Sequence, residues 1–395
     1  MEYVKLNELC DINIGKTPSR SNPKYWENNG NKWLAISDLK SKYILESKEK
    51  ITNLAIEENN MKLVPKDTVV MSFKLSIGKV AILKEDMYTN EAIANFQIKN
   101  KEIITSEYLY YALKTLNFDN VDRAVMGATL NKKKLNDIKI LYCDIGIQNK
   151  IVNVLNKAQD LIDKKKEQIR MLDELVKSRF VEMFGDPSKN KKGWDIYEID
   201  EYLECLTDYH SNGSYESLRD NVTLLDSPNY ALMVRTTDLE NNNFEKDVKY
   251  IDEHAYNYLE KSKVFGGEII INKIGSAGKV YLMPFLNKPV SLAMNQFLLR
   301  FDQNKVNHIF LYNLLSTPYM EIKIKEKVRG AVTKTITKDA IRKINIIVPP
   351  IEVQNQFADF VKQVDKLKFD SKKSYNLMEL PIYKRPSMLY DIIIL

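Results

Sequence analysis

The chain predicts an α+β protein of two similar mixed α/β domains, related as an internal pseudo-two-fold repeat, together with two long helices. Three observations carry this: a repeat with a period of about 200 residues, a heptad pattern after the first copy, and a matching helical pattern after the second. The repeat appears as blocks in the same order in each half. Leu34-Ala35-Ile36-Ser37-Asp38-Leu39 matches Val234-Arg235-Thr236-Thr237-Asp238-Leu239, and Val69-Val70-Met71 through Gly78-Lys79-Val80 matches Ile269-Ile270-Ile271 through Gly278-Lys279-Val280. Tyr108-Leu109-Tyr110 matches Phe310-Leu311-Tyr312, Gly127-Ala128 matches Gly330-Ala331, and Ile138-Lys139-Ile140 matches Ile344-Asn345-Ile346. The last pair is Ile147-Gln148-Asn149 with Val353-Gln354-Asn355. These blocks place a first domain at 1–145, a central helix at 146–186, a second domain at 187–350, a C-terminal helix at 351–380 and an irregular tail at 381–395.

Within each copy the β-branched runs at Val69-Val70-Met71-Ser72-Phe73 and Ile269-Ile270-Ile271-Asn272 read as buried strands. Each leads through a glycine turn, at Gly78 and Gly278, into a second apolar run, giving strand, turn, strand. Residues 106–116 and 307–315 read as short helices opened by capping residues.

The segment 148–184 differs. Apolar residues fall at Ile151, Leu155, Ala158, Ile162, Ile169, Leu172, Val176 and Met183, with Lys165 and Arg179 at the intervening positions. Steps alternating four and three make a coiled-coil heptad, and at 1.5 Å per residue the helix would run roughly 55 Å. Gly185-Asp186-Pro187 stops it. The second long helix starts after Pro349-Pro350, where proline suits a first turn. Val353, Phe357, Phe360, Val364 and Leu367 continue the rhythm until it decays at Ser371 and Ser374. Pro381 and Pro386 end regular helix beyond about Glu379.

Composition sets bounds but selects little. Of 395 residues, 44% are hydrophobic and 28% charged, ordinary for a folded protein with sizeable cores. A net charge of +6 fits an anionic partner, and fits equally a composition rich in Lys, Asn and Ile. Cys10, Cys143 and Cys205 lie far apart without a CxxC pair, which argues against a disulfide framework and a zinc site. The opening Met1-Glu2-Tyr3-Val4-Lys5 lacks the apolar region of a leader, and no apolar run is long enough for a membrane span, so a cytoplasmic setting is expected.

Several motifs bear on catalysis. Asn22-Pro23-Lys24-Tyr25 lacks the second proline of a base-holding methyltransferase loop. A P-loop would need glycine where Lys273 stands and a hydroxyl where Val280 stands. Ser76-Ile77-Gly78-Lys79 and Ser276-Ala277-Gly278-Lys279 both read S-x-x-K, but the other motifs of a serine acylase are missing. His210, His254 and His308 have no spaced partner. No catalytic residue and no metal site are expected.

The chain resembles the specificity subunit of type I restriction–modification enzymes over nearly its whole length. Gly15-Lys16-Thr17-Pro18-Ser19 is similar to that family's "GKTPS" opening, and Trp33 to Leu39 to its strand with Trp and Asp-Leu. Gly127-Ala128-Thr129 and Gly330-Ala331-Val332 stand where the family has "G-(S/A)-T". Pro349-Pro350-Ile351-Glu352-Val353-Gln354 resembles "PPLxEQ", and Phe180 to Pro187 the exit from the first helix. The chain departs at Cys143-Asp144, where Asp144 replaces the double proline as a cap, and in the tail after Leu380.

The resemblance implies two target-recognition domains, each reading half of a split site in double-stranded DNA, with the helices packed as an antiparallel coiled coil. Ile151, Leu155, Ile162, Ile169 and Leu172 are expected to hold the helices together. Modification (methyltransferase) subunits would methylate adenine with S-adenosylmethionine, and restriction (endonuclease and translocase) subunits would use ATP and Mg. None of these cofactors is expected on this chain, nor is a membrane. Turn residues are the candidates for DNA contact. In the first domain these are Lys16, Thr17, Ser19, Arg20, Lys74, Ser76, Lys79, Lys132, Lys133 and Lys134. In the second they are Arg235, Thr236, Thr237, Lys273, Ser276, Lys279, Arg329 and Lys334. The alternative is an autonomous sequence-specific DNA-binding protein without restriction partners.

Overall fold

The computed structural model describes residues 2–74, 76–116 and 131–382, the side chains of 375–382 excepted. The chain divides into two compact units, 1–168 with 371–395, and 169–370. The first unit begins β1 (Glu2–Lys5), α1 (Leu6–Leu9), β2 (Cys10–Ile14), β3 (Trp26–Leu34), β4 (Tyr43–Ile44), β5 (Glu49–Ile51) and α2 (Asn53–Glu58). It continues through β6 (Val69–Ser72), β7 (Val80–Leu83), β8 (Tyr88–Thr89), β9 (Ile93–Ile98), α3 (Ser106–Lys114), α4 (Lys132–Asp137) and β10 (Lys139–Tyr142) into the 40-residue helix α5 (Ile145–Phe184).

The second unit repeats the plan. Its elements are β11 (Ile196–Glu198), β12 (Leu203–Asp208), α6 (Tyr215–Asn221), β13 (Ala231–Val234), α7 (Thr236–Glu240), β14 (Lys249–Ile251), α8 (Glu253–Tyr258) and β15 (Lys263–Val264). Then follow β16 (Ile269–Asn272), β17 (Val280–Leu282), β18 (Val290–Leu292), β19 (Gln296–Phe301), α9 (His308–Leu315), α10 (Pro318–Glu326), α11 (Lys338–Arg342), β20 (Asn345–Ile347) and α12 (Ile351–Ile382). The order β2-β9-β6-β7 recurs as β12-β19-β16-β17, β5-β3-β8 as β14-β13-β18, and β1-β10 as β11-β20. The repeat read in the sequence is therefore a repeat of topology.

The continuous apolar runs follow from burial on both faces. Val69 and Met71 of β6 face the core under α3, whereas Val70 packs with Leu34, Ile44 and Val64 on the other face. Ile269 and Ile271 of β16 divide from Ile270 in the same way. Thr105 caps α3 and Asn307 caps α9, each side chain accepting a first-turn N–H. The block from Trp33 to Leu39 is not one strand: β3 stops at Leu34 and a helical turn follows at Ile36–Asp38. Asp38 accepts from the N–H of Ala35, as Asp238 does from Arg235, so the repeated aspartate turns the chain out of the sheet.

At the start of each long helix stands a buried glutamine. Gln148 donates to the carbonyls of Ile103 and Cys143 at 2.7 and 2.8 Å and accepts from the N–H of Thr105. Gln354 donates to Pro349 and Lys305 and accepts from Asn307. Asp144 accepts from the N–H of Gly146, the capping role expected where the double proline is missing. Gly185, at φ +81°, ends α5.

α5 and α12 pack antiparallel. In the second unit Phe357 at the start of α12 meets Phe180 and Phe184 at the end of α5, with ring centroids 5.5 and 5.4 Å apart. Farther along, Lys368 pairs with Asp173 at 2.7 Å. Within α12 the buried line runs Phe357, Val361, Val364 and Ser371, with Lys368 between. Leu367, expected in the seam, is 53% exposed. The seam takes Lys368 instead, whose aliphatic stem lies inward while its ammonium reaches Asp173 and Asp365. Ile151, Leu155 and Ile162 are buried in the core of the first unit with Ala158 against it, so they fasten α5 to its own domain. Val176 is buried, Val353 and Phe360 pack at the edge of the second unit's core, and Ile169 and Leu172 are half-buried. α12 runs to Ile382, two residues past the expected end at 380.

Candidate nucleic-acid interface

In the first unit the loop after β2 is built by close backbone approach. A Cβ on Gly15 would lie 2.1 Å from the carbonyl oxygen of Thr89. Lys16 then reaches the carbonyls of Asn59 and Asn60 at 2.8 and 3.1 Å, satisfying the open end of α2. The Thr17 hydroxyl is buried without a hydrogen-bond partner among the described residues. Ser19 Oγ pairs with Ser21 at 2.8 Å. Arg20 lies over Trp26 at 4.1 Å and Trp33 at 4.9 Å and forms a two-pronged ion pair with Glu49, whose carboxyl it holds below the usual range. Lys16 and Arg20 therefore have structural partners already.

The turn between β6 and β7 closes on Ser72, whose hydroxyl donates to the carbonyl of Ser76 and accepts from the N–H of Lys79. Lys74 lies beside Phe73, while Lys79 is exposed and makes no ion pair with a described residue. On α4, capped by Asn131, Lys132, Lys133 and Lys134 are exposed and likewise unpaired among the described residues. Lys132 also borders a cleft of about 480 Å³ with Lys16, Lys62, Asn13, Asn95 and Gln97. Asn95 is buried there; its amide donates to Thr89, and its side-chain carbonyl oxygen has no partner among the described residues. Gly127-Ala128-Thr129 lies outside the described residues.

In the second unit most predicted cations are neutralised. Arg235 clamps Asp238 at 2.7 and 3.1 Å and donates to the carbonyl of Asp247. Lys273 pairs with Asp208 at 3.1 Å, and Lys338 binds the other carboxylate oxygen at 2.9 Å. Burial pulls the Asp208 pKa up, but hydrogen bonds from Ser211, Lys338 and Lys273 outweigh it and bring the value to about 2. Ser276 donates to Glu240 at 2.9 Å and accepts from Asn272, and Lys279 lies 3.8 Å from Glu240. The S-x-x-K serine thus faces a carboxylate and an amide. Thr236 approaches Asn272, while Thr237 is exposed.

What remains open to solvent is the hairpin from Arg329 to Thr335. Arg329 and Lys334 are exposed on it, and Lys325 and Lys327 stand just before it. Lys325, Lys327 and the apolar tip Val332 were not anticipated; the alternation of Lys323, Lys325, Lys327 and Arg329 was the available signal.

The motifs set aside in the sequence have structural uses. Pro23–Tyr25 is a short 3-10 turn, and Tyr25 hydrogen-bonds Glu58. His254 and His308 bond to Asn221 and Gln303, and His210 packs edge-on to Tyr209. Among the described residues no group of three or more His, Cys, Asp or Glu could hold a metal, and no helix is long and apolar enough to cross a membrane.

One core topology built twice, with open cations on each copy and a long helix following each, defines a class: tandem domains of one fold, each followed by a long helix. The chain belongs to the type I restriction modification DNA specificity domain family, whose model matches residues 1–171 and again 191–379. It is 26% identical over 388 residues to the type I restriction enzyme MjaIX specificity subunit of Methanocaldococcus jannaschii, covering 91% of this chain and 86% of that one. The MjaVIII specificity subunit of the same organism is 23% identical over 339 residues, 80% and 75% of the two chains. Among solved structures, the S subunit of a type I restriction–modification system from M. genitalium superposes with a TM-score of 0.53 at 14% identity, covering 99% and 95%. A structure from the assembly of a type I R-M system gives 0.58 at 13%, covering 99% and 97%. These two establish the likeness of fold.

Proposed function

We propose that this chain is the DNA-recognition subunit of a type I restriction–modification complex. Each domain reads one half of a bipartite site, and partner subunits supply adenine methylation and cleavage. The observation that supports this most is the duplication of the family domain on two units that share one core strand order. Two such readers suit two half-sites set apart along the duplex. The chain contributes recognition and not catalysis; S-adenosylmethionine, ATP and Mg act on the modification and restriction subunits.

Lys79, Lys132, Lys133 and Lys134 in the first domain and Arg329 and Lys334 in the second are the cations placed to meet phosphates. Lys16, Arg20, Arg235 and Lys273 shape the loops that carry them. Partner docking is supported by α5, which leaves Val154, Leu161, Met171 and Leu175 exposed along its length beside the buried seam.

The deciding experiment is an adenine methylome of the source strain with and without the gene. Loss of methylation at one split motif is expected. An unchanged methylome, together with salt-sensitive DNA binding by the isolated chain, would replace this reading with the autonomous one.

A further inference from the structure

We infer that the hairpin Arg329–Thr335 is the base-reading finger of the second domain, and that Val332 at its tip meets a thymine methyl group in the major groove. The inference rests on the DNA-recognition reading and goes beyond it by naming the residue and the base feature.

The hairpin has a defined shape. Arg329 and Thr335 exchange both backbone hydrogen bonds, at 2.9 and 2.8 Å, and Thr335 bridges to Ile274. The N–H of Ile336 donates to the carbonyl of Lys273 at 3.2 Å, so the base of the hairpin is tied to the turn after β16. Gly330 sits at φ +107°, and a Cβ there would lie 2.1 Å from the carbonyl oxygen of Thr333. Only glycine permits this tight return.

The tip holds Val332 97% exposed. A β-branched apolar side chain held out by a pinned loop forgoes burial unless a partner supplies it. The surrounding chemistry selects that partner. Lys325, Lys327, Arg329 and Lys334 are exposed and unpaired among the described residues, whereas Lys323 is taken by Glu326 and Lys338 by Asp208. One small apolar group on a hairpin that carries Arg329 and Lys334, with Lys325 and Lys327 just before it, suits a polyanion with an apolar feature recessed between its charges. The core of a protein interface is instead depleted of charge. In duplex DNA that feature is the C5-methyl of thymine, exposed in the major groove between phosphate rows. Arg329 and Lys334 flank the tip and set its depth and register on phosphates.

The test uses the chain assembled with its modification subunits. Adenine methylation sites are mapped for the wild type and for Val332→Ser, a change at an exposed position that leaves the fold intact. Binding is measured on duplexes carrying the preferred site with thymine or with uracil, which lacks the methyl. The wild type is expected to lose roughly fourfold in affinity when one thymine of the second half-site becomes uracil. Val332→Ser is expected to bind both duplexes alike and to methylate additional sites that differ at that position, with the first half-site unchanged. The double variant Arg329→Gln with Lys334→Gln is expected to weaken binding on all sequences and to flatten the log–log salt slope by about 2.

A Val332→Ser complex that keeps the wild-type motif and the thymine preference would overturn the inference. So would failure of that variant to assemble, which would make the hairpin a protein-docking element. A wild-type complex with no preferred site would sink the recognition reading itself, and that result precedes any variant.

Discussion

Asp208 accepts hydrogen bonds from Lys273, Lys338 and Ser211 at a position only 4% exposed. Its folded pKa of about 2 lies below the ordinary 3.8, so the charged form is favoured by folding. The stability it supplies is complete above pH 3.8 and is lost as the pH falls toward 2. At neutral pH it amounts to about 2 kcal/mol. Urea unfolding of Asp208→Asn should show a deficit of about that size at pH 7 that shrinks as both proteins are taken below pH 3; a deficit independent of pH would contradict the assignment. Gln148 and Gln354 are the other residues on which structure depends. Gln148→Leu keeps the volume but strands two carbonyls and one N–H, and Gln354→Leu strands the matching set. Each should cost about 3 kcal/mol, visible as a lower Tm by calorimetry.

The two faces of the long helices should respond oppositely to charge. Val364 is 3% exposed and Leu367 is 53% exposed, although both are apolar and only three residues apart. Val364→Asp should destabilise by 3 kcal/mol or more, roughly, while Leu367→Asp should stay within about 0.5 kcal/mol in chemical denaturation. On α5, Ile151 and Leu155 belong to the first domain's core, so aspartates there damage the domain before any partner is tested. Val154 and Leu161 are 47% and 46% exposed and make the cleaner probe. Val154→Asp with Leu161→Asp should leave the thermal transition in place and abolish co-purification with the modification subunit. Retained co-purification would place partner docking elsewhere.

For the molecule as a whole, cations sort by what they face. Lys273, Arg235 and Lys279 lie beside carboxylates of their own domain, whereas Lys132, Lys133 and Lys134 lie beside none that is described. Lys132 and Lys338 hold corresponding positions at the starts of α4 and α11, yet Asp208 neutralises only Lys338, because the first domain has Ile14 where the second has Asp208. The same fold thus carries different surface charge at corresponding positions of its two copies.

The sequence by itself determined the duplication, the strand–turn–strand units, the two helices with their glycine and proline boundaries, and the family. All of these rest on local patterns: apolar spacing, caps, and blocks recurring in order. Only the tertiary structure decided which side of a helix is covered and which lysine is free. Leu367 and Lys368 exchange their expected places because Asp173, far away in the chain, waits opposite Lys368. Lys273 and Arg329 look alike as loop cations, yet one neutralises Asp208, 65 residues distant, and the other stands in solvent beside Val332. Apolar periodicity is written along the chain, but the carboxylate that pairs with a cation is brought to it by folding, and no spacing records it.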